Sequence, residues 1–442
     1  MRPERRGWVI QPDSEVNHEC MNDGRNRLKK AKSFEISQKV VVDAWKQVKA
    51  NQGAAGVDKQ SIAGFEKNLK NNLYTIWNRM SSGSYHPPPA RTVGIPKKAG
   101  GNRVLGIPSV SDRVAQTVWK RYFEPVVEPH FHEDSYGYRP GKSALDAVDV
   151  TRKRCWKYDW VLEFDIKGLF DNIDHELLMK TVRWHTKSRW LLLYIERWLK
   201  APFQKDDGTL VERTKGTPQG GVVSPLVANL FLHYAFDAWM KRNYPVVPIC
   251  RYADDGIVHC RSEAEACALK KALEDRFREC KLELHPVKTR IVYCKNSNRR
   301  RNYPVVTFDF LGFTFRPRFA KNRQGTYFVN FSPGVSTAAG KAMRQQSRRW
   351  RLHLRSDTSL EDLSRIFSPV IRGWINYYAR FYKSALYPTL RHLNELLVRW
   401  AMRKFKRLRY HLTKAVLWLG GIARRQPELF PHWQFGARPT AG

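Results

Sequence analysis

Apolar positions recur every three or four residues soon after the chain begins. Val40, Val41, Ala44, Trp45 and Val48 share one face of a helix starting near Phe34. Turn formers over 51–58 interrupt it, and Phe65, Leu69, Leu73, Ile76 and Trp77 mark a second helical stretch that ends before Pro87-Pro88-Pro89. The pattern then changes to strands. Residues 93–108 predict a hairpin around Gly100-Gly101, and 109–125 a helix. An apolar strand over 160–166 carries Asp165 near its end, and one helix is expected from 176 to 199 with Trp184, Leu191, Leu192 and Ile195 in the core. A Gly/Pro-rich loop over 214–226 leads into an apolar helix through Leu230, Phe231 and Leu232. Residues 250–260 read as a hairpin with Asp254-Asp255-Gly256 at its turn. A helix over 263–280 should pack through Ala264, Leu269, Leu273 and Phe277, followed by extended pieces over 282–292 and an apolar hairpin over 308–315. Beyond about Gly334 the chain is helical. Val370, Ile371, Trp374, Tyr377, Tyr378 and Phe381 give one stripe there, and Leu390, Leu393, Leu397 and Trp400 another.

Charge changes this picture from a generic globular chain to a partner of polyanions. Over 442 residues, 78 Lys and Arg against 41 Asp and Glu give a net charge of +37, with 42% hydrophobic residues. A folded chain with that excess carries the electrostatic footprint of a nucleic-acid binder. Residues 335–442 hold 21 Lys and Arg against 5 Asp and Glu. Arg399, Arg403, Lys404, Lys406, Arg407 and Arg409 cluster there beside aromatics, as a groove tracking a phosphate backbone would require. No apolar run reaches the roughly 18–20 residues of a membrane span, and the N-terminus lacks the apolar core of a secretory signal, so a cytoplasmic location without membrane partners is expected. Seven scattered cysteines without a C-x-x-C pair argue against disulfides and structural zinc.

The chemistry-bearing residues stand out where they break apolar patterns. Asp254 and Asp255 are like charges side by side in a tight hairpin. A divalent cation would explain them, an ordinary Asp-Gly turn is the alternative, and these residues alone leave both open. Asp165 at a strand end is a second potential metal ligand or a helix cap. Lys97 and Arg103 bracket a Gly-Gly loop that grips a triphosphate or is simply a solvated basic hairpin. Gly141-Lys142-Ser143 suggests a phosphate-binding P-loop, but Tyr136 stands where that motif needs its first glycine. Arg139 and Lys142 remain as basic loop residues.

Taken in order, IPKKAGGNRVLGIPSVSDRVAQ, SYGYRPGKSALDAV, LEFDIKGLFDNIDH, GTPQGGVVSPLVANL, RYADDGIVHC, FLGFTF and GWINYY resemble the reverse transcriptases encoded by bacterial group II introns, from about Phe34 to near Tyr410. The resemblance implies an α+β right-hand polymerase. Residues 1–33 would be an extension, 34–334 fingers and an antiparallel palm, 335–412 a helical thumb or maturase domain, and 413–442 a short tail that contacts DNA. It implies catalytic Asp165, Asp254 and Asp255. The same three, with Ile166, would hold two Mg²⁺ ions, Mn²⁺ being an alternative. It assigns Lys97, Arg103, Phe170, Gln219 and Lys288 to the incoming dNTP, Phe170 as the ring that excludes a 2′-hydroxyl. Nucleic-acid contacts fall on Arg139, Lys142, Arg372, Tyr377, Arg399, Arg403, Lys404 and Arg407. The implied partners are group II intron RNA, an RNA template with a DNA primer, target DNA and dNTPs. The implied activity is RNA-directed DNA synthesis with maturase function in splicing and retrohoming. Residues 413–442 contain no cysteine, and with the thumb ending near 412 the chain is expected to lack the endonuclease of many relatives. Two other readings compete: an RNA-binding splicing cofactor without polymerase activity, and a host-adapted polymerase in defence or repair. The sequence sets no oligomeric state.

Overall fold

The computed structural model describes residues 33–96, 102–322 and 324–440. Among these, eleven strands form three sheets. β1 (Ala90–Pro96) and β2 (Asn102–Ile107) make the predicted antiparallel hairpin. The central sheet uses β3 (Trp160–Asp165), and the first sheet is completed by β4 (Phe203–Gln204), parallel to β1, and β5 (Leu210–Val211). β6 (Ile249–Tyr252), β7 (Asp255–Cys260) and β8 (Arg290–Tyr293) join β3 in the order β6-β7-β3-β8, antiparallel throughout. β9 (Phe308–Phe310), β10 (Phe313–Lys321) and β11 (Tyr327–Val335) form the third sheet. The chain thus has the mixed helix-and-sheet architecture of a right-hand polymerase, with an antiparallel palm sheet and a helical C-terminal region.

The palm strands are almost continuously apolar because both of their faces are covered. Leu162 and Val258 point into a core shared with the helices Val110–Val127, His175–His185, Arg189–Lys200 and Glu263–Glu279. Val161, Ile257 and Val292, one residue out of phase, enter a second core with Phe308, Phe313, Phe315 and Phe331 of the third sheet. A third core belongs to the C-terminal helices, with Leu390, Leu393, Leu397 and Trp400 buried as their spacing predicts and Leu363 joining them.

Three local expectations change. The helix expected over 176–199 is two helices. Thr186 is extended, and its hydroxyl accepts from the Ser188 N–H, so the chain turns between them and Trp184 is left 78% exposed. In the 263–279 helix the buried alanine is Ala266, which continues the spacing of Leu269, Leu273 and Phe277, while Ala264 faces solvent. Residues 412–425 form a further helix, and the segment after it folds back so that Phe430, His432 and Trp433 are buried in the third core.

Candidate active site

β3 and β7 are directly paired, with Asp165 opposite Asp255. Cross-strand partners project to the same face, so two carboxylates some ninety residues apart in sequence become neighbours. The β6–β7 connection is a two-residue turn of Ala253 and Asp254, with Tyr252 paired to Asp255. Asp254 therefore sits at the tip and Asp255 already in the strand. Gly256, expected as part of the turn, lies in β7 opposite Phe164, whose ring occupies the space a side chain would need.

The turn is held from below. Ala253 adopts φ 56°, a left-handed conformation that costs a non-glycine residue about 1 kcal/mol. The buried Arg251 guanidinium donates to the Ala253 carbonyl at 3.1 Å, to Asn229 Oδ1 at 3.1 Å, and to both oxygens of Asp237 at 2.8 and 2.6 Å. Asp237 ends a π-helical turn over His233–Asp237 inside an otherwise apolar helical run. Gly137 brings its backbone so close to the Ala253 amide that a side chain there would collide, and Asn229 Nδ2 donates to its carbonyl at 2.6 Å. These residues escaped the sequence reading. A lone arginine and a lone aspartate within apolar stretches were the available signal for a buried pair.

Burial lifts the Asp254 pKa, and the neighbouring Asp165 charge adds to this against Arg103 and Lys288. Burial, Asp254 and Asp165 together push Asp255 up to about 7. Lys288 Nζ donates to Asp165 Oδ2 at 2.8 Å. Burial lowers the Lys288 pKa, but the hydrogen bond and charge of Asp165 outweigh it and the net shift is upward. Three hard oxygen donors crowd together with more negative charge than the local cations neutralise, and this donor chemistry fits a divalent cation. Among the described residues no group of three His, Cys, Asp or Glu already stands in metal-holding geometry. Ile166 has a buried side chain and pairs with Leu284, the Lys167 and His285 amides making the flanking bonds.

The dNTP candidates gather partly around these acids. Arg103 Nε donates to Gln219 Oε1, and Gly106 N–H donates to the Gln219 carbonyl at 2.9 Å, so the Gly-rich loop docks on β2. Gln116 anchors the same loop, accepting from the Val222 amide at 2.7 Å while donating to buried Asp112. Phe170 is buried, and its carbonyl accepts from the Thr217 amide at 2.7 Å where the loop crosses it. Lys97 lies outside the described residues. Tyr138, unmarked in the sequence reading, lies close enough to Asp254 that burial and that carboxylate together raise its hydroxyl pKa.

The nucleic-acid candidates divide. Arg139 is held inside the fold by Glu128 and the carbonyls of His132 and Ser135. Lys142 donates to the Glu133 carbonyl. Lys404 donates to the carbonyls of Ser356 and Thr358. Tyr377 donates to the Leu311 carbonyl at 2.9 Å, tying the thumb to the β9–β10 turn. Arg372, Arg399, Arg403 and Arg407 are exposed. A cavity of about 880 Å³ lined by His130, Arg154, His233 and Tyr244 contains none of the predicted site residues.

The family model for reverse transcriptase (RNA-dependent DNA polymerase) matches residues 95–315, and that for the group II intron maturase-specific domain matches 340–418. The chain belongs to the group II intron-encoded reverse transcriptases. Protein YkfC of Escherichia coli K12 is 31% identical over 277 residues, covering 54% of this chain and 71% of that protein. Group II intron-encoded protein LtrA of Lactococcus lactis subsp. cremoris is 34% identical over 193 residues, covering 43% of this chain and 32% of its own length. This reverse transcriptase therefore spans most of YkfC but about a third of LtrA. A solved telomerase from Candida albicans aligns with 85% of this chain and 68% of its own at TM-score 0.42 and 12% identity, too slight a likeness to carry argument. Membership in the reverse transcriptase family implies a polymerase dependent on divalent metal. No helix among the described residues is long and apolar enough to cross a membrane.

Proposed function

We propose that this reverse transcriptase extends a DNA primer on an RNA template, and that its maturase segment grips group II intron RNA to aid splicing and insertion into target DNA. The supporting observation is Asp165 paired across the strands with Asp255 and flanked by Asp254, with Lys288 and Arg103 near enough to act on their charges. Two Mg²⁺ ions, when bound, would lower the pKa of the primer 3′-hydroxyl and neutralise charge on the triphosphate and its leaving group. Asp165, Asp254 and Asp255, with the main chain of Ile166, would hold them. Lys288 would orient Asp165 through its hydrogen bond to Oδ2 before the ions arrive. Lys97 and Arg103 would grip the triphosphate, and Gln219, tied to Arg103, would cover the sugar and base. Phe170 would stand against a 2′-hydroxyl from a backbone held by the Thr217 amide. The same reading puts the protein in the bacterial cytoplasm with its RNA and DNA partners.

The test is primer extension on an RNA template. Asp254→Ala, or chelation of Mg²⁺ from the wild type, should lower the rate by roughly a thousandfold, equivalent to several kcal/mol of lost transition-state stabilisation. Sustained synthesis by Asp254→Ala would sink the assignment.

A further inference from the structure

The third sheet carries an unusual arginine. Along β10, Phe313 and Phe315 face the core, while Thr314, Arg316 and Arg318 alternate onto the opposite face, across from Gly334, Ser332 and Asn330 of β11. Arg318 is only 8% exposed. Its Nε donates to the Ser332 carbonyl at 3.1 Å and one Nη to the Thr314 carbonyl at 3.2 Å, and its guanidinium lies 4.8 Å from the Tyr382 ring centre. Gly334 makes the space, since a Cβ there would lie 2.7 Å from that Nη. Neither Arg318 nor Arg316 nor Arg344 forms an ion pair among the described residues. Buried arginine ordinarily has an anionic partner, because an uncompensated buried charge is costly. Burial and the neighbouring Arg316 charge push Arg318 down to about 10, as expected of a cation still lacking one.

The surroundings are built to accept that partner. A cavity of about 490 Å³ between the β10–β11 hairpin and the thumb is lined by Arg316, Arg318, Arg344, Ser336, Thr337 and Thr389, and no Asp or Glu lines it. Thr314, which also lines it, donates its hydroxyl to Asp309 outside the lining. The helix Thr337–Arg349 begins here without an acidic residue in its first turn, so its N-terminal amides add positive potential. Two aromatic residues line the cavity: Tyr382, whose ring Arg318 covers, and Phe319, which is 73% exposed on the hairpin.

We infer that this cavity is a sequence-independent binding site for a backbone phosphate of a nucleic-acid strand, received between Arg316, Arg318 and the N-terminus of the Thr337–Arg349 helix. Guanidinium and hydroxyl donors that hold a phosphate position a strand and do not read its bases. The inference rests on the proposed nucleic-acid function, and its strand is either the template–primer duplex or the intron RNA.

Full-length wild type, Arg316→Gln, Arg318→Gln and the double variant would be titrated across a salt series against an RNA–DNA template–primer and, separately, a group II intron RNA. The double variant should bind at least one polymer about tenfold more weakly, with its log–log salt slope reduced by roughly one for each phosphate no longer neutralised. The polymer that responds identifies the strand. Unchanged affinity and slope for both polymers overturn the site while leaving the proposed function intact. A wild type that binds neither overturns both. Should Arg318→Gln fail to melt cooperatively, exposed Arg316→Gln decides alone: about threefold weaker binding with an unchanged melting temperature supports the site, and no change rejects it.

Discussion

His259 lies next to the end of β7 with both ring nitrogens buried and without a hydrogen-bond partner among the described residues. Burial first, and the Arg154 charge second, push its pKa down to about 3. The unfolded chain protonates such a ring near 6.5 and the folded chain only near 3, so between these values the unfolded state binds more protons. Stability contributed by the neutral ring is complete above about 6.5 and is lost as pH falls through the window, at up to about 1.4 kcal/mol per pH unit. Urea unfolding between pH 7.5 and 4.5 should show His259→Leu with a shallower acid loss than wild type, and with equal or greater stability at pH 7.5, since an unpaired polar group has gone. An identical slope would remove His259 from the acid response. Residue chemistry was legible in sequence wherever a charge interrupted an apolar run, which is why Asp165, Asp254 and Asp255 stood out. Arg251 and Asp237 gave the same signal, but the partner of a buried charge comes from another element and cannot be read locally. Gly256 was read as a turn residue because Asp-Gly is a strong turn dipeptide. Its true reason, the ring of Phe164, lies on a strand distant in sequence.

At the scale of elements, that glycine sets how closely β3 and β7 approach at the end of the sheet that carries Asp165 and Asp255. Phe164 stands directly opposite Gly256, lies edge-on to Phe236 with centroids 4.9 Å apart, and also packs against Phe277. The ring fills the missing side chain's space and covers bare backbone, the cross-strand aromatic–glycine pairing that pins register. Gly256→Ala should therefore lower stability by about 1–3 kcal/mol through overpacking and shift Asp255 relative to Asp165, with loss of primer extension. Phe164→Leu added to it should recover part of the stability. A double variant no better than the sum of its singles, measured by urea unfolding, would show that the ring is not the obstacle. Periodicity located most of these elements because burial imposes it. It failed where a capping interaction intervened: the extended Thr186 breaks one amphipathic stretch into two helices and turns Trp184 outward.

For the whole molecule, the excess of positive charge in the last quarter was legible by counting, but the closure of the C-terminal core was not. Residues after 412 read as a basic, proline-bearing tail, because Phe430, His432 and Trp433 are too few and too closely spaced to show helical periodicity. In the fold they complete a core begun by the helix Leu360–Tyr378. Trp433 Nε1 and His432 Nε2 both bond Asn394 Oδ1, at 2.9 and 2.8 Å, and Asn394 Nδ2 donates to the Ala437 carbonyl at 2.9 Å. Ser364 donates to the Leu429 carbonyl, tying that helix to the same segment. A chain ending at residue 412 would lose the buried rings of Phe430 and Trp433, each comparable to an aromatic-to-alanine truncation of about 3–5 kcal/mol, and would leave Asn394 unpaired. That exceeds what a small helical unit can spare. The truncated protein should unfold its thumb at lower temperature, be cleaved by protease within 340–412, and bind RNA weakly even though Arg399, Arg403 and Arg407 all remain. A tail that merely touched DNA would predict the opposite: unchanged melting and protease resistance, undiminished RNA affinity, and a loss confined to DNA binding.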